Sequence, residues 1–319
     1  MIKSTTLLAF YVSNCLTAVH ADPLPVRDLN PLIAGYELPP PLPASRDLKQ
    51  NTIALSYAVS NTSLDQKAGA EHSTVDAELH CWQLTATHSI NSRWSIQLEL
   101  PHQSVSGGTL DRFIENFHSD FNLPNGNRDT LPRNRLLINY AITDQSRYHV
   151  SAPQSGIGDI SMRAGWHFDS QPAHSSTLWF SIKAPTGNAN NLTGSGSVDA
   201  AVSLAAMQQF NGDVQSFEQV SMSWFGSSKR LSEQQKHSAW SGMIGLDWKL
   251  ADAVDVITQL NMHSAVYEST IRMLGTATQF TIGPRYHSAL WQGGLSITED
   301  IATDTAPDVQ FQIYLTHQF

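Results

Sequence analysis

The 319-residue chain is short of three things, and each shortage excludes a class of protein. Beyond the amino terminus no run of about eighteen apolar residues occurs, so a membrane location would require strands, not helices. Basic residues are few: 19 Lys and Arg stand against 28 Asp and Glu, for a net charge of -9, which argues against a nucleic-acid partner. Cysteine is nearly missing, with only Cys15 and Cys81 present. Residues Met1 to Ala21 carry one early positive charge, Lys3, then Leu7 to Val12 and the small-residue site Val19-His20-Ala21. That pattern predicts a cleaved secretory signal peptide. A lipobox reading of Val12-Ser13-Asn14-Cys15 is the alternative, with Asn14 where a small residue belongs. Cleavage after Ala21 removes Lys3 and Cys15, leaving 18 basic and 28 acidic residues, or -10. Cys81 then stands alone, which excludes an intrachain disulfide and a thiolate metal cluster; it is expected to pack as a small apolar residue.

What is present is alternation. In Val309 to Phe319 the residues Val309, Phe311, Ile313, Leu315, His317 and Phe319 share one face, and Gln310, Gln312, Tyr314, Thr316 and Gln318 share the other. A strand about ten residues tall, apolar on one side and polar on the other, is the repeating unit of an outer-membrane barrel. The terminal Phe319 is assigned as an assembly signal for the insertion machinery. Similar segments fall at about 51–61, 74–88, 93–101, 156–168, 175–184, 199–210, 214–225, 237–248, 253–263, 276–286, 290–299 and 308–319, which makes twelve. Connections at His88 to Ser92, Asp169 to His174, Asn211 to Asp213, Lys249 to Asp252 and His287 to Ala289 are short, and every intervening one is longer. Short periplasmic turns, long outer loops and an even strand number belong together. Residues Arg135 to Ile142 with Arg147 to Val150 are read as a hairpin in or above the largest outer loop, since a thirteenth spanning strand would break the parity. Trp94, Trp166, Phe168, Phe210, Trp248, Tyr286, Trp291 and Phe319 fall near the periplasmic turns on the outward face. Trp224, Phe225 and Trp240 flank an outer loop, so the rings form two belts at headgroup height.

The fold expectation is therefore all-β: a transmembrane antiparallel β-barrel of about twelve strands over 51–319, with one short helix in a long extracellular loop. The preceding 22–50 segment, rich in proline and without alternation, is expected to be irregular and either periplasmic or lumenal. The inward faces supply lumen-lining candidates Glu99, Asp159, Arg163, Lys183, Asp255 and Arg285. Such a wall would line a narrow polar path, or would form internal ion pairs filling a closed barrel. Substituting Arg for outward Leu98, Ile182 or Leu295 should cost about 2 to 4 kcal/mol near the midplane, and much less for inward Gln97 or Ser181.

In the outer loop Pro101 to Ser155, Leu110, Phe113, Ile114 and Phe117 recur at helical spacing and Thr109 stands where a cap is needed. This amphipathic helix is read as part of a gating loop from Gly107 to Asn127, with a lid over an apolar ligand, a lipid-resting patch or plain packing on the following hairpin as alternatives. Catalytic chemistry has weak support. Ser195 or Ser197 near Asp199, and Ser104 or Ser106 near His102, are the sequence-local candidates, and Gly194-Ser195-Gly196-Ser197 is not a nucleophile elbow. His80, His88, His102 and His118 have no metal-ligand spacing, so neither a metal nor a cofactor is expected.

The segments LELPHQSVSGGTLDRFIENFH, KAPTG with LTGSGSVD, and ED followed by APDVQFQIYLTHQF resemble the proteobacterial domain-of-unknown-function family 3187. The likeness starts at Arg27-Asp28-Leu29-Asn30-Pro31-Leu32 and covers nearly all of the mature chain. It implies an outer-membrane barrel and supplies no established activity, so no functional residue is carried over from it. The functional expectation is a narrow pore or uptake path for an unidentified small solute, in contact with outer-membrane lipid. A lipid-active enzyme and a structural barrel without transport are the alternatives.

Overall fold

The computed structural model describes residues 22–44, 51–122, 128, 131–171 and 173–319; the expected signal peptide lies outside the described residues. The strands are β1 (Thr52–Ala68), β2 (Glu71–Ser89), β3 (Trp94–Ser106), β4 (Leu137–Ile142), β5 (Gln145–Val150), β6 (Gln154–Ile157), β7 (Ile160–Ser170) and β8 (His174–Ala184). They continue as β9 (Asp199–Gln209), β10 (Val214–Phe225), β11 (Ser238–Ala251), β12 (Val254–His263), β13 (Ala277–His287), β14 (Trp291–Asp300) and β15 (Val309–Gln318). All described pairings are antiparallel, and twelve strands, β1 to β3 and β7 to β15, close a barrel. The seam is the ladder of β1 with β15, in register from Thr52 opposite Gln318 to Asn61 opposite Val309. Closure leaves no free edge in the spanning wall, which is what a backbone in hydrocarbon requires.

Period-two alternation sets the two surfaces. Ile53, Leu55, Leu98, Met162, Ile182, Leu204, Leu295, Ile313 and Leu315 are exposed on the outside, as a lipid-facing band demands. Trp94, Trp166, Phe168, Phe210, Trp248, Tyr286, Trp291 and Phe319 are all exposed at the end with the short turns. Trp224 and Trp240 are exposed toward the opposite end, whereas Phe225 is buried, turned inward against Tyr36 at 5.1 Å. These belts and the closed twelve-stranded wall place the protein in the bacterial outer membrane. Three inward rings each cover a glycine directly across the ladder: Trp179 over Gly165, Phe217 over Gly245 and Tyr314 over Gly294. A Cβ at Gly245 would stand 2.1 Å from the Phe217 ring, so the missing side chain is the space that the ring fills.

Two further features depart from the sequence expectation. The first is the β1–β2 connection, which is not a long loop: both strands run past the membrane and turn at Gly69, where φ is +58°. Their extensions mix buried Leu64, Val75 and Ala77 with buried polar residues such as Ser73, Thr74 and Asp76, so the alternation that marks a spanning strand fades there although pairing continues to Ala68 opposite Glu71. The second is the 156–168 segment, which is broken into β6 and β7 at Gly158 and Asp159, both pieces pairing with β3. The β4–β5 hairpin sits on the extension of β2, from Glu71 opposite Ile142 to Asp76 opposite Leu137, and does not span.

Residues 22–44 run through the barrel. The chain enters at the periplasmic end, where Asp22 O accepts from Arg285 at 2.7 Å, and climbs past Gln259 and Gln312, which bond Leu24 and Pro25. At the top Asn30 caps one turn, its carbonyl accepting Ile33 N and Ala34 N at 2.8 Å and its side chain accepting Leu32 N. Leu29, Leu32, Ile33 and Tyr36 pack there with Val266, Tyr267, Ile271, Met273 and Leu274 of an outer loop and with Leu64, Leu79 and Tyr140. The segment then descends: Gln219 bonds Pro40 and Leu42, Trp179 Nε1 bonds Pro43 O at 3.0 Å, and Thr177 bonds Ala44 O at 2.7 Å.

Candidate functional site: the occupied lumen

The six lumen candidates all face inward and are buried, and the structure gathers them into three ionic groups at different heights. Nearest the periplasm, Arg285 of β13 contacts Asp247 of β11 and lies 2.8 Å from Asp255 of β12, with His287 at 3.3 Å from Asp255. In the middle, Arg163 of β7 contacts Glu99 of β3, and its other terminal nitrogen is 2.8 Å from Glu37 of the inner segment. Arg27 contacts the same Glu99, and Ser161 donates to Glu37 at 2.7 Å. Toward the outside, Lys183 of β8 is 2.5 Å from Asp159 and 3.1 Å from Asp199, and it donates to Gly35 O at 2.9 Å. Buried charge is tolerated only when paired and hydrogen-bonded. In each group the inner segment supplies one of the partners.

Arg230, in the loop between β10 and β11, is a lumen residue that alternation could not find. It is fully buried and donates to Pro31 O at 2.9 Å and to Gly194 O at 2.8 Å, joining the apex of the inner segment to the outer loop that carries Lys183's partners. Gly35 and Gly194 make that contact possible, because a Cβ on Gly35 would lie 2.9 Å from Gly194 C. Arg27, Asp28 and Glu37 also escaped the sequence reading; Asp28 lies 2.9 Å from His263. The only early signal was the apolar content of a segment with no period: Leu24, Val26, Leu29, Leu32, Ile33 and Leu42 are all buried.

Three of the serine candidates, Ser195, Ser197 and Ser106, hold structural bonds in this arrangement. Ser195 is fully buried and its Oγ accepts from Lys183 Nζ at 2.6 Å, while its amide donates to Asp159 at 2.9 Å. An ammonium engaged by two carboxylates is a donor, not a base for a hydroxyl nucleophile. Ser197 donates to Asp199 at 2.9 Å, and Ser106 Oγ accepts the Gly108 amide. Among the described residues no group of three or more His, Cys, Asp or Glu is disposed to hold a metal ion.

The helix over the outer loop, α1 (Asp111–Phe121), is formed but does not enter the lumen. Ile114 is buried beneath it, whereas Phe113 and Phe117 meet the Phe311 ring edge-to-face, at 5.7 and 6.4 Å, and Leu110 closes the helix's first turn. Phe311 shares the outward face of β15 with Ile313 and Leu315. The expectation of a gate built on Leu110, Phe113, Ile114 and Phe117 is therefore corrected: α1 covers the outside of the wall, because the apolar surface it needs is on that side. What occupies the path is residues 22–44, which leave a cavity of about 50 Å3 between Val26 to Asp28 and β10 to β13. That is far below the few hundred Å3 of an organic-ligand site.

The fold is shared with solved outer-membrane proteins. The COG4313 outer membrane channel from Pseudomonas putida F1 is similar with TM-score 0.58 and 14% identity, over 87% of this chain and 97% of that one. The NanC porin (TM-score 0.49, 7% identity, 84% and 100% covered) and the Ralstonia pickettii toluene transporter TbuX (0.41, 7%, 84% and 88%) are more distant. No curated protein matches the sequence. The model of the family described as "Protein of unknown function (DUF3187)" matches residues 1–319, and the chain belongs to that family.

Proposed function

We propose that this protein is an outer-membrane uptake channel for small solutes whose path is closed by its own residues 22–44. The observation that carries the reading is how the segment is held. Among the described residues it pairs with no strand, and much of its grip consists of bonds from wall side chains to its backbone: Gln259 to Leu24, Gln219 to Pro40, Trp179 to Pro43, Thr177 to Ala44 and Lys183 to Gly35. Such bonds are exchanged for water or for the hydroxyls and carboxylates of a solute without opening a ladder. Both ends of the segment lie at the periplasmic mouth, so withdrawal toward the periplasm would uncover Arg163, Lys183, Arg285 and their acidic partners along one continuous wall. The likeness to the Pseudomonas putida channel supports the reading at the level of the fold.

Planar-bilayer recordings test it. The complete protein should conduct little, a barrel lacking 22–44 should conduct strongly, and a barrel lacking 107–127 should behave like the parent. A folded, heat-modifiable barrel without 22–44 that stays silent would reject transport and leave the structural reading. Phospholipid turnover measured beside it, and abolished by a single serine change, would favour an enzyme.

A further inference from the structure

We infer that α1 is an interfacial membrane helix whose aromatic ridge is sunk in the acyl chains of the outer leaflet. The starting point is position. α1 lies outside the barrel at the outer end of β15, with Phe113 and Phe117 against Phe311, a residue on the same face as exposed Ile313 and Leu315. The lipid-facing band of the wall therefore continues without a gap onto the helix.

The helix itself has three sides. Asp111, Ile114 and His118 are buried toward the protein. Phe113, Phe117 and Phe121 follow one another four residues apart, with Phe117 and Phe121 rings 4.8 Å apart; Phe113 is 54% and Phe121 66% exposed. Arg112, Asn116 and Ser119 occupy the remaining polar side, and exposed Asp120 stands at the rim of the ridge on the Phe113 side. A run of neighbouring phenylalanines exposed on one side is costly in water and stabilising in lipid.

The attachment fixes the depth. Asp111 is 3.0 Å from Arg128, which also bonds Asn61 at 2.7 Å and contacts Asp308, while Asn134 N donates to Asp111 at 2.5 Å. Asn61 is on the outward face of β1, two residues beyond Val59 opposite Phe311. A polar clamp above and an aromatic ridge below hold the helix at the level where headgroups give way to chains, the arrangement of an interfacial helix. This inference is independent of whether the lumen conducts.

Spin labels at Phe113→Cys, Phe121→Cys and Ser119→Cys, in protein reconstituted in phosphatidylcholine vesicles, give the test. The ratio of oxygen to nickel-complex accessibility should be several-fold higher at 113 and 121 than at 119, which faces the other way. Equal ratios at all three sites, all water-like, would overturn the inference. The unmodified chain provides a second measurement: a photoreactive group at the end of a lipid acyl chain should label peptides from 110–122 as well as from 309–319. Labelling of 309–319 with none in 110–122 would equally reject it.

Discussion

Asp308, one residue before β15, couples the outer loops to pH. It contacts Arg128, which is shared with Asp111 and Asn61. Burial pushes its carboxyl up to about 6, and the guanidinium offsets only part of that cost. With the folded value above the ordinary 3.8, the folded chain holds this proton more tightly than the unfolded chain. The stabilisation is complete below about pH 4 and is lost as pH rises through about 6, by at most about 3 kcal/mol. The thermal midpoint in detergent should therefore fall between about pH 5 and pH 7.5, and Asp308→Asn should flatten that fall; parallel curves for parent and variant would assign it to another group. At this scale the sequence was legible where side chains obey a period. Glu99, Arg163, Lys183, Asp255 and Arg285 were found because every second residue of a spanning strand points inward. Arg27, Glu37 and Arg230 were not, because irregular backbone assigns its contacts by shape alone.

The same contrast governs the elements. Spanning strands announce themselves through lipid on one side, so the twelve were recovered, whereas the extensions of β1 and β2 were hidden because loops and the inner segment cover them and buried residues there follow no period of two. The helical spacing that revealed α1 says which face is apolar and not what covers it, so its side of the wall could not be deduced. The occupied lumen also changes the expected cost of inward substitutions. Ser181 is buried between Trp179 and Lys183, both bonded to the inner segment. Leu98→Arg should cost about 2 to 4 kcal/mol of barrel stability whether or not 22–44 is present, since its face meets lipid. Ser181→Arg should be comparably costly in the complete chain, where a guanidinium displaces the segment, and nearly neutral once 22–44 is removed. Urea titrations of the two parents and the four variants decide it; an unchanged Ser181→Arg cost after deletion would mean that the wall itself, not the segment, fills that space.

For the whole molecule, Phe319 adds the periplasmic end of the seam to the ten pairs of the β1–β15 ladder. Phe319 N donates to Asn51 O and Asn51 N to Phe319 O, both at 3.0 Å, so the terminal residue completes the ladder that joins the last strand to the first. Its ring is 59% exposed in the periplasmic belt and lies near His317, which in turn packs on Trp291 at 4.3 Å. The inner segment crosses between walls that are far apart in sequence, bonding β12 and β15 on the way up and β8 and β10 on the way down. Seating it therefore presupposes a closed seam, and a fault at residue 319 should act on the barrel first and on the segment as a consequence. Deleting Phe319, or replacing it with Glu, should leave secretion intact and reduce the heat-modifiable barrel in the outer membrane, with unassembled chain accumulating in the periplasm. The variant that does insert should regain the parent's thermal midpoint to within the loss of one edge pair, because the remaining β1–β15 register from Thr52 to Asn61 is untouched. Normal amounts of membrane barrel without Phe319 would remove the residue's assembly role and leave it only its place in the aromatic belt.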